Sequence, residues 1–133
     1  MFKFDQCLQE FDDAVLEDAW YELEGAYEVF GIGRYRFVLS HCRTALLIGI
    51  VLLMRKRGSI LPSMSIERMG TDLGMPVDVI ESCIEVERAG RFSSHQGKGN
   101  DEQEEAAMVL SKTLEAFEWM RAKLDEYHFE LRR

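Results

Sequence analysis

Proline is nearly missing from this chain. Among 133 residues there are two, Pro62 and Pro76, and both fall where a helix would begin. A chain so poor in helix breakers can carry long uninterrupted helices. Cysteine is also scarce. Cys7, Cys42 and Cys83 are three in number, far apart, and lack C-x-x-C spacing. That argues against a disulfide framework and against a zinc site, and leaves buried thiols in a reducing compartment as the expectation. Strand-like alternation of apolar and polar residues is absent. No apolar run is long: Ala45 to Met54 covers ten residues, between Arg43 and Arg55-Lys56-Arg57. That is about half of a membrane span, and it suits a buried core helix better. The start, Met1-Phe2-Lys3-Phe4-Asp5, carries no hydrophobic region of the signal-peptide kind. The expectation is a soluble cytoplasmic protein with no membrane partner.

What the chain has in excess is negative charge. Its net charge is -8 and its pI is about 4.9. Phosphate binding rests on clustered Lys and Arg, so a general nucleic-acid binder is a poor fit to that total. The total conceals a zoned distribution. Residues 1–30 hold nine acids and one lysine, whereas residues 31–57 hold six bases and no acid. The plainer reading is a helical hairpin whose charged faces offset each other. The other is a basic strip on an acidic body.

Helical periodicity is strong throughout. Phe4, Leu8, Phe11, Val15, Ala19, Leu23, Ala26 and Phe30 form one stripe at spacings of three and four, ended by Gly31-Ile32-Gly33. A second pattern from Tyr35 to about Arg57 is apolar nearly all round, which predicts the central, most buried helix. Gly58 stops it. A short helix is predicted over Ser63–Leu73. Another starts at Met75-Pro76, with Val77, Ile80 and Ile84 on one face, and ends near Ala89-Gly90. Residues 91–100 have loop composition. Asp101 and Glu104 match a capping box ahead of a long last helix. Its stripe is Ala107, Leu110, Leu114, Phe117, Met120 (or Trp119), Leu124, Tyr127 and Leu131. The predicted fold is all-α: a single domain over residues 1–133, a bundle of four main helices plus a short extra one.

Most motif-like stretches have a plain explanation. Gly31-Ile32-Gly33 follows a helix rather than a strand, so it is a turn and not a phosphate loop. His41-Cys42 has no ligand at the next helical turn to complete a metal site, so His41 reads as a core or interface histidine. The aromatics of the first hairpin, Trp20, Tyr21, Tyr27, Phe30, Tyr35 and Phe37, fall at helical spacing and read as core. Met54, Met64, Met69 and Met75 read as gap fillers around the short helix, with an adaptable binding surface as the other option.

The segment from Ile84 to His95 is different. Arg88 and Arg91 end a helix, and Ser93, Ser94, His95 and Lys98 follow in the loop. A His at the mouth of a loop can move the proton of a ribose 2′-hydroxyl. Guanidinium groups can hold a phosphate and offset the charge that develops on it. Ser94 and Lys98 would add a hydroxyl and a second cation. The plainer reading is basic residues at a helix C-terminus, where the helix dipole favours them.

Arg88, six intervening residues and His95 ahead of the last helix, after two long helices and a shorter section, resemble the HEPN superfamily. Those are nucleic-acid-binding helical domains common in prokaryotic defence, toxin–antitoxin and restriction-associated systems. Arg34-Tyr35-Arg36, leading into an Ala- and Leu-rich helix, is similar to the family's second helix. The resemblance implies an HEPN-like bundle, a homodimer with paired motifs, and metal-independent endoribonuclease or RNA-binding activity with no cofactor. In it Arg88 and His95 are catalytic, and Arg91, Lys98 and Ser94 hold the RNA phosphate. A cognate antitoxin or other defence-system protein would be the partner. The chain departs from the family at Ala89, where a polar residue usually follows the arginine, and at Gly97, where a Tyr usually stands. The Arg–His spacing also recurs at Arg36 and His41, and at Arg34 and His41. The rival reading is a non-catalytic acidic module, an antitoxin, inhibitor or dimeric adaptor. It would bind its partner protein through Asp12, Asp13, Glu17 and Asp18.

Overall fold

The structure, a computed structural model, describes residues 16–58, 64–91 and 102–131, without the side chains of residue 57 and of residues 128–131. Among the described residues there are five helices and no strand: α1 Glu17–Gly31, α2 Tyr35–Arg57, α3 Ile66–Asp72, α4 Val77–Arg91 and α5 Glu102–Leu131. The fold is all-α, and the described helices are four main ones and a short extra one.

Local chemistry sets the helix ends. Gly33 and Gly58 sit at φ +79° and +78°, a left-handed conformation that costs glycine nothing. At Gly58 the backbone N–H donates to the Arg55 carbonyl at 3.0 Å and closes α2. Ser65 caps α3: its Oγ accepts from the Arg68 N–H at 3.1 Å. Pro76 directly precedes α4, and its carbonyl accepts from the Ile80 N–H at 3.0 Å. The missing proline N–H costs nothing there.

The helix α2 touches all four others. Its partners fix the directions. Across α1, Gly25 lies against His41 and Gly49 against Ala19, so α1 and α2 run antiparallel. Gly90 meets Leu39 and Arg43 while Ile84 and Leu47 line one groove, so α4 is antiparallel to α2. Arg36 reaches Glu102 and Gly49 reaches Met120, so α5 runs parallel to α2. The core fills the space between them with Leu16, Leu23, Leu46, Ile50, Leu53, Leu110, Phe117 and Met120, all fully buried. Each such side chain contributes about 1.5–3 kcal/mol relative to exposure. Trp20 and Phe117 join α1 to α5 with ring centroids 6.0 Å apart. Thr113 is a buried polar residue, and its hydroxyl donates to the Val109 carbonyl at 2.7 Å, so no orphan group results.

Several expectations need adjustment. The helix α2 is apolar nearly all round, yet Leu47, Ile48, Val51 and Leu52 are only half-buried. By length and composition Tyr35–Lys56, mean hydropathy 2.0, could cross a membrane, and half of that window is buried inside the protein. Tyr21, Tyr27 and Phe37 are exposed rather than core. Near the start of α5 the buried alanine is Ala106, and Ala107 is half-buried. The start of the first predicted stripe, Phe4 to Val15, lies outside the described residues.

Among the described glycines, Gly90 leaves the least room for a side chain. A Cβ added there would lie 2.3 Å from the Arg43 Cβ and 2.8 Å from the Leu39 carbonyl oxygen. Neither is the free end of a flexible chain, so the two helices would have to separate. At Gly49 the obstruction is the Met120 thioether at 2.9 Å, which can swing aside. Gly90→Ala is therefore expected to destabilise the fold by about 2–3 kcal/mol despite alanine's better helix propensity. Gly49→Ala should cost less than about 1 kcal/mol. Denaturant midpoints of the two variants check this, and equal midpoints would refute the crossing argument.

Candidate functional site

On α4, Ile84, Glu87, Arg88 and Arg91 follow at i, i+3, i+4 and i+7, one face of a helix. That face borders a groove of about 560 Å³ between α2, α3 and α4. Leu47, Met69 and Ile84 supply apolar lining, Met64 to Glu67 form one wall, and Arg88 and Arg91 stand on the α4 side. The volume suits a small ligand or one unit of a polymer. Met69 and Met75 also fill gaps, since the Met75 sulfur occupies the space beside Gly70.

The charges on this face are organised around Glu87, whose side chain is only 12 % exposed. Arg91 Nε donates to Glu87 Oε1 at 2.9 Å, and Arg91 Nη2 contacts the same oxygen. From α2, Arg43 Nε lies 3.5 Å from that oxygen. Glu87 thus joins α2 to the end of α4. Arg88 is exposed and has no carboxylate partner among the described residues. Lys112 of α5 pairs with Glu85 on another side of α4.

The same geometry separates the competing Arg–His pairs. Arg36 turns to Glu102 of α5 at 3.5 Å. His41 Nδ1 lies 2.9 Å from Glu22 Oε2 of α1, and the ring packs on Gly25. In an unbroken helix these residues point apart, so Arg36 and His41 do not form one site. His41 is a half-buried interface residue, as its sequence context predicts. Arg34 is the residue before α2, exposed, with His41 seven positions on. Arg88 lies one turn from the end of α4.

Of the sequence-predicted site residues, Arg88 and Arg91 come together at the groove. Ser94, His95 and Lys98 lie outside the described residues, as do Asp12 and Asp13 of the acidic alternative. Glu17 and Asp18 are exposed in the first turn of α1, where the helix dipole favours acids. No described group of three or more His, Cys, Asp or Glu residues could hold a metal ion. The residues that sequence reasoning passed over are Glu87 and Arg43. The i, i+4 spacing of Glu87 and Arg91 is a signal for half of that cluster; Arg43 becomes visible only once α2 is laid on α4.

No family model, curated protein or solved structure matches the chain.

The two described thiols offer no nucleophile. Cys42 and Cys83 are free and buried. Burial pushes the Cys42 thiol from 9.0 up to about 12, against a smaller lowering by its Thr113 hydrogen bond. Burial alone does the same at Cys83. A raised pKa means that the unfolded chain releases these protons above pH 9.0 while the native chain keeps them to about 12. Stability present below pH 9.0 is thus lost as pH rises toward about 12, by up to about 1.4 kcal/mol per pH unit and thiol. In a Cys7→Ser background, Cys42 and Cys83 should react with a thiol reagent only after denaturation. A Cys42→Ala/Cys83→Ala variant should show a shallower alkaline loss of stability. Rapid labelling of the native protein would contradict both expectations.

Proposed function

We propose that this chain is an HEPN-like module of a prokaryotic defence or toxin–antitoxin system. On this reading it binds RNA and cuts it without a metal, as a cytoplasmic homodimer. The observation that carries the reading is Arg88: an exposed guanidinium on the last turn of α4, beside an open groove, with no carboxylate partner among the described residues. It stands after a long antiparallel helix pair and a short helix, ahead of the last long helix, where the resemblance puts its arginine. His95 follows it in the chain.

The chemistry runs as follows. Arg88 holds the non-bridging phosphate oxygens. His95 takes the proton of the 2′-hydroxyl, the 2′-oxygen–phosphorus bond forms, and the phosphorus–5′-oxygen bond breaks. The leaving 5′-oxygen takes a proton from water. The products are a 2′,3′-cyclic phosphate and a 5′-hydroxyl. Purified protein is expected to cut single-stranded RNA in the presence of EDTA. His95→Ala and Arg88→Ala should each slow the cut by about 100-fold or more. Intact RNA after incubation with a well-folded dimer would remove the enzyme reading.

A second reading draws on α1. Its outer face presents Glu17, Asp18 and Glu28 with Tyr21, which is 74 % exposed. Tyrosine amid like charges is a composition suited to a basic partner surface. In that case the chain is a non-catalytic antitoxin, inhibitor or adaptor. Charge reversal at Asp12, Asp13, Glu17 and Asp18 would then abolish function while His95→Ala leaves it intact.

A further inference from the structure

Arg43 is absent from the motif, yet the fold carries it to Glu87, which lines the same groove. The tight crossing at Gly90 does this, because the Arg43 stem passes directly over that glycine. Its guanidinium and that of Arg91 then meet one carboxylate oxygen, Glu87 Oε1. The fit is incomplete. Arg43 Nε is buried and makes no hydrogen bond, lying 3.5 Å from the oxygen. Glu87 and Arg91 both line the groove, so the cluster opens onto space that a ligand can enter.

Two guanidinium groups on one half-buried carboxylate resemble the way paired arginines hold a phosphate. A phosphate group carries more oxygens than a carboxylate and can serve both forks at once. We infer that Arg43 and Arg91 form a phosphate seat which the Glu87 carboxylate occupies in the unliganded protein, and that a phosphodiester reaching it through the groove displaces Glu87. The seat lies one helical turn from Arg88. On the RNA reading, from which the ligand class is taken, it holds a phosphate adjacent to the one Arg88 binds. Glu87 is then an internal competitor. It offsets the repulsion between two clustered cations in the free protein, and it weakens binding of any anion too poor to replace it.

The test uses the full chain with two probes: inorganic pyrophosphate, and a 2′-O-methyl oligoribonucleotide that cannot be cut. Glu87→Gln keeps the shape and removes the charge. It should bind both probes about tenfold more tightly than the unaltered protein. For the oligonucleotide, the slope of log affinity on log salt should steepen by about 0.7, as expected on a single strand when one cation of the seat is no longer offset by a carboxylate. Adding Arg43→Ala to Glu87→Gln should cancel the gain. A folded Glu87→Gln protein with unchanged or weaker affinity for both probes overturns the proposal, since a purely structural clamp predicts that result. If Glu87→Gln does not fold, Glu87→Asp, which draws the carboxylate back from Arg91, must show a gain in the same direction or the proposal fails. A gain for pyrophosphate without oligonucleotide binding or RNA cleavage keeps the seat and removes the RNA reading. Cleavage of RNA with no gain in Glu87→Gln does the reverse.

Discussion

The contact between α2 and α4 at Gly90 constrains more of this molecule than any other. With hydrogen in place of a methyl group, the α4 backbone comes down onto Leu39 and Arg43. That approach fixes the height of α4 along α2, and through it the position of every side chain on the groove face. Glu87 reaches Arg43 because of it, Arg91 meets the same carboxylate, and Ile84 lies near Leu47. Close-packed interiors transmit such a constraint because side chains cannot slide without leaving voids. Ile84, Glu87 and Arg88 stand within two turns of Gly90, so a small shift there would displace the whole site.

Charge in this protein is settled between helices more than within them. The six bases of residues 31–57 admit two readings in the sequence, charged faces that offset each other or a basic strip. In the fold Arg36 meets Glu102 of α5 and Arg43 meets Glu87 of α4, while His41 meets Glu22 of α1. Three acidic helices thus share one partner helix. Exposed pairs of this kind contribute little stability each. Their larger effect is on what remains: with Arg43 and Arg91 engaged by Glu87, the exposed Arg88 becomes the cation best placed for an anionic ligand. The nuclease reading and the acidic-module reading place function at different parts of the molecule. The first needs the end of α4 and the loop that follows, and the second needs the outer face of α1.

Much of the fold was legible in the residues. Proline placement, glycine at the ends of α1 and α2, and apolar spacing at three and four located α2 to α5 and the end of α1 to within a few residues; the predicted start of the first helix at Phe4 lies outside the described residues. The least legible part was burial around α2. Its apolar run has no polar side to mark what stays open, so Leu47 and Val51 read as core when they are half-buried. Exposed Tyr21 and Phe37 misled for the same reason, since an aromatic at helical spacing looks the same whether or not a neighbour covers it. Of the site, Arg88 and Arg91 could be named from their place at a helix end. Arg43 could not, because nothing near it in the chain hints at a partner 44 residues away at Glu87.

The sequence by itself determined the class of structure and the order of its parts. Helix periodicity and helix ends are short-range properties, set by backbone sterics, capping and the spacing of apolar residues along a few turns. Tertiary structure alone decided which charges are spent and which stay available. Arg36, Arg43, Arg88 and Arg91 are chemically the same residue. What separates them is distance to a carboxylate on another helix, and that distance exists only after α2, α4 and α5 have packed.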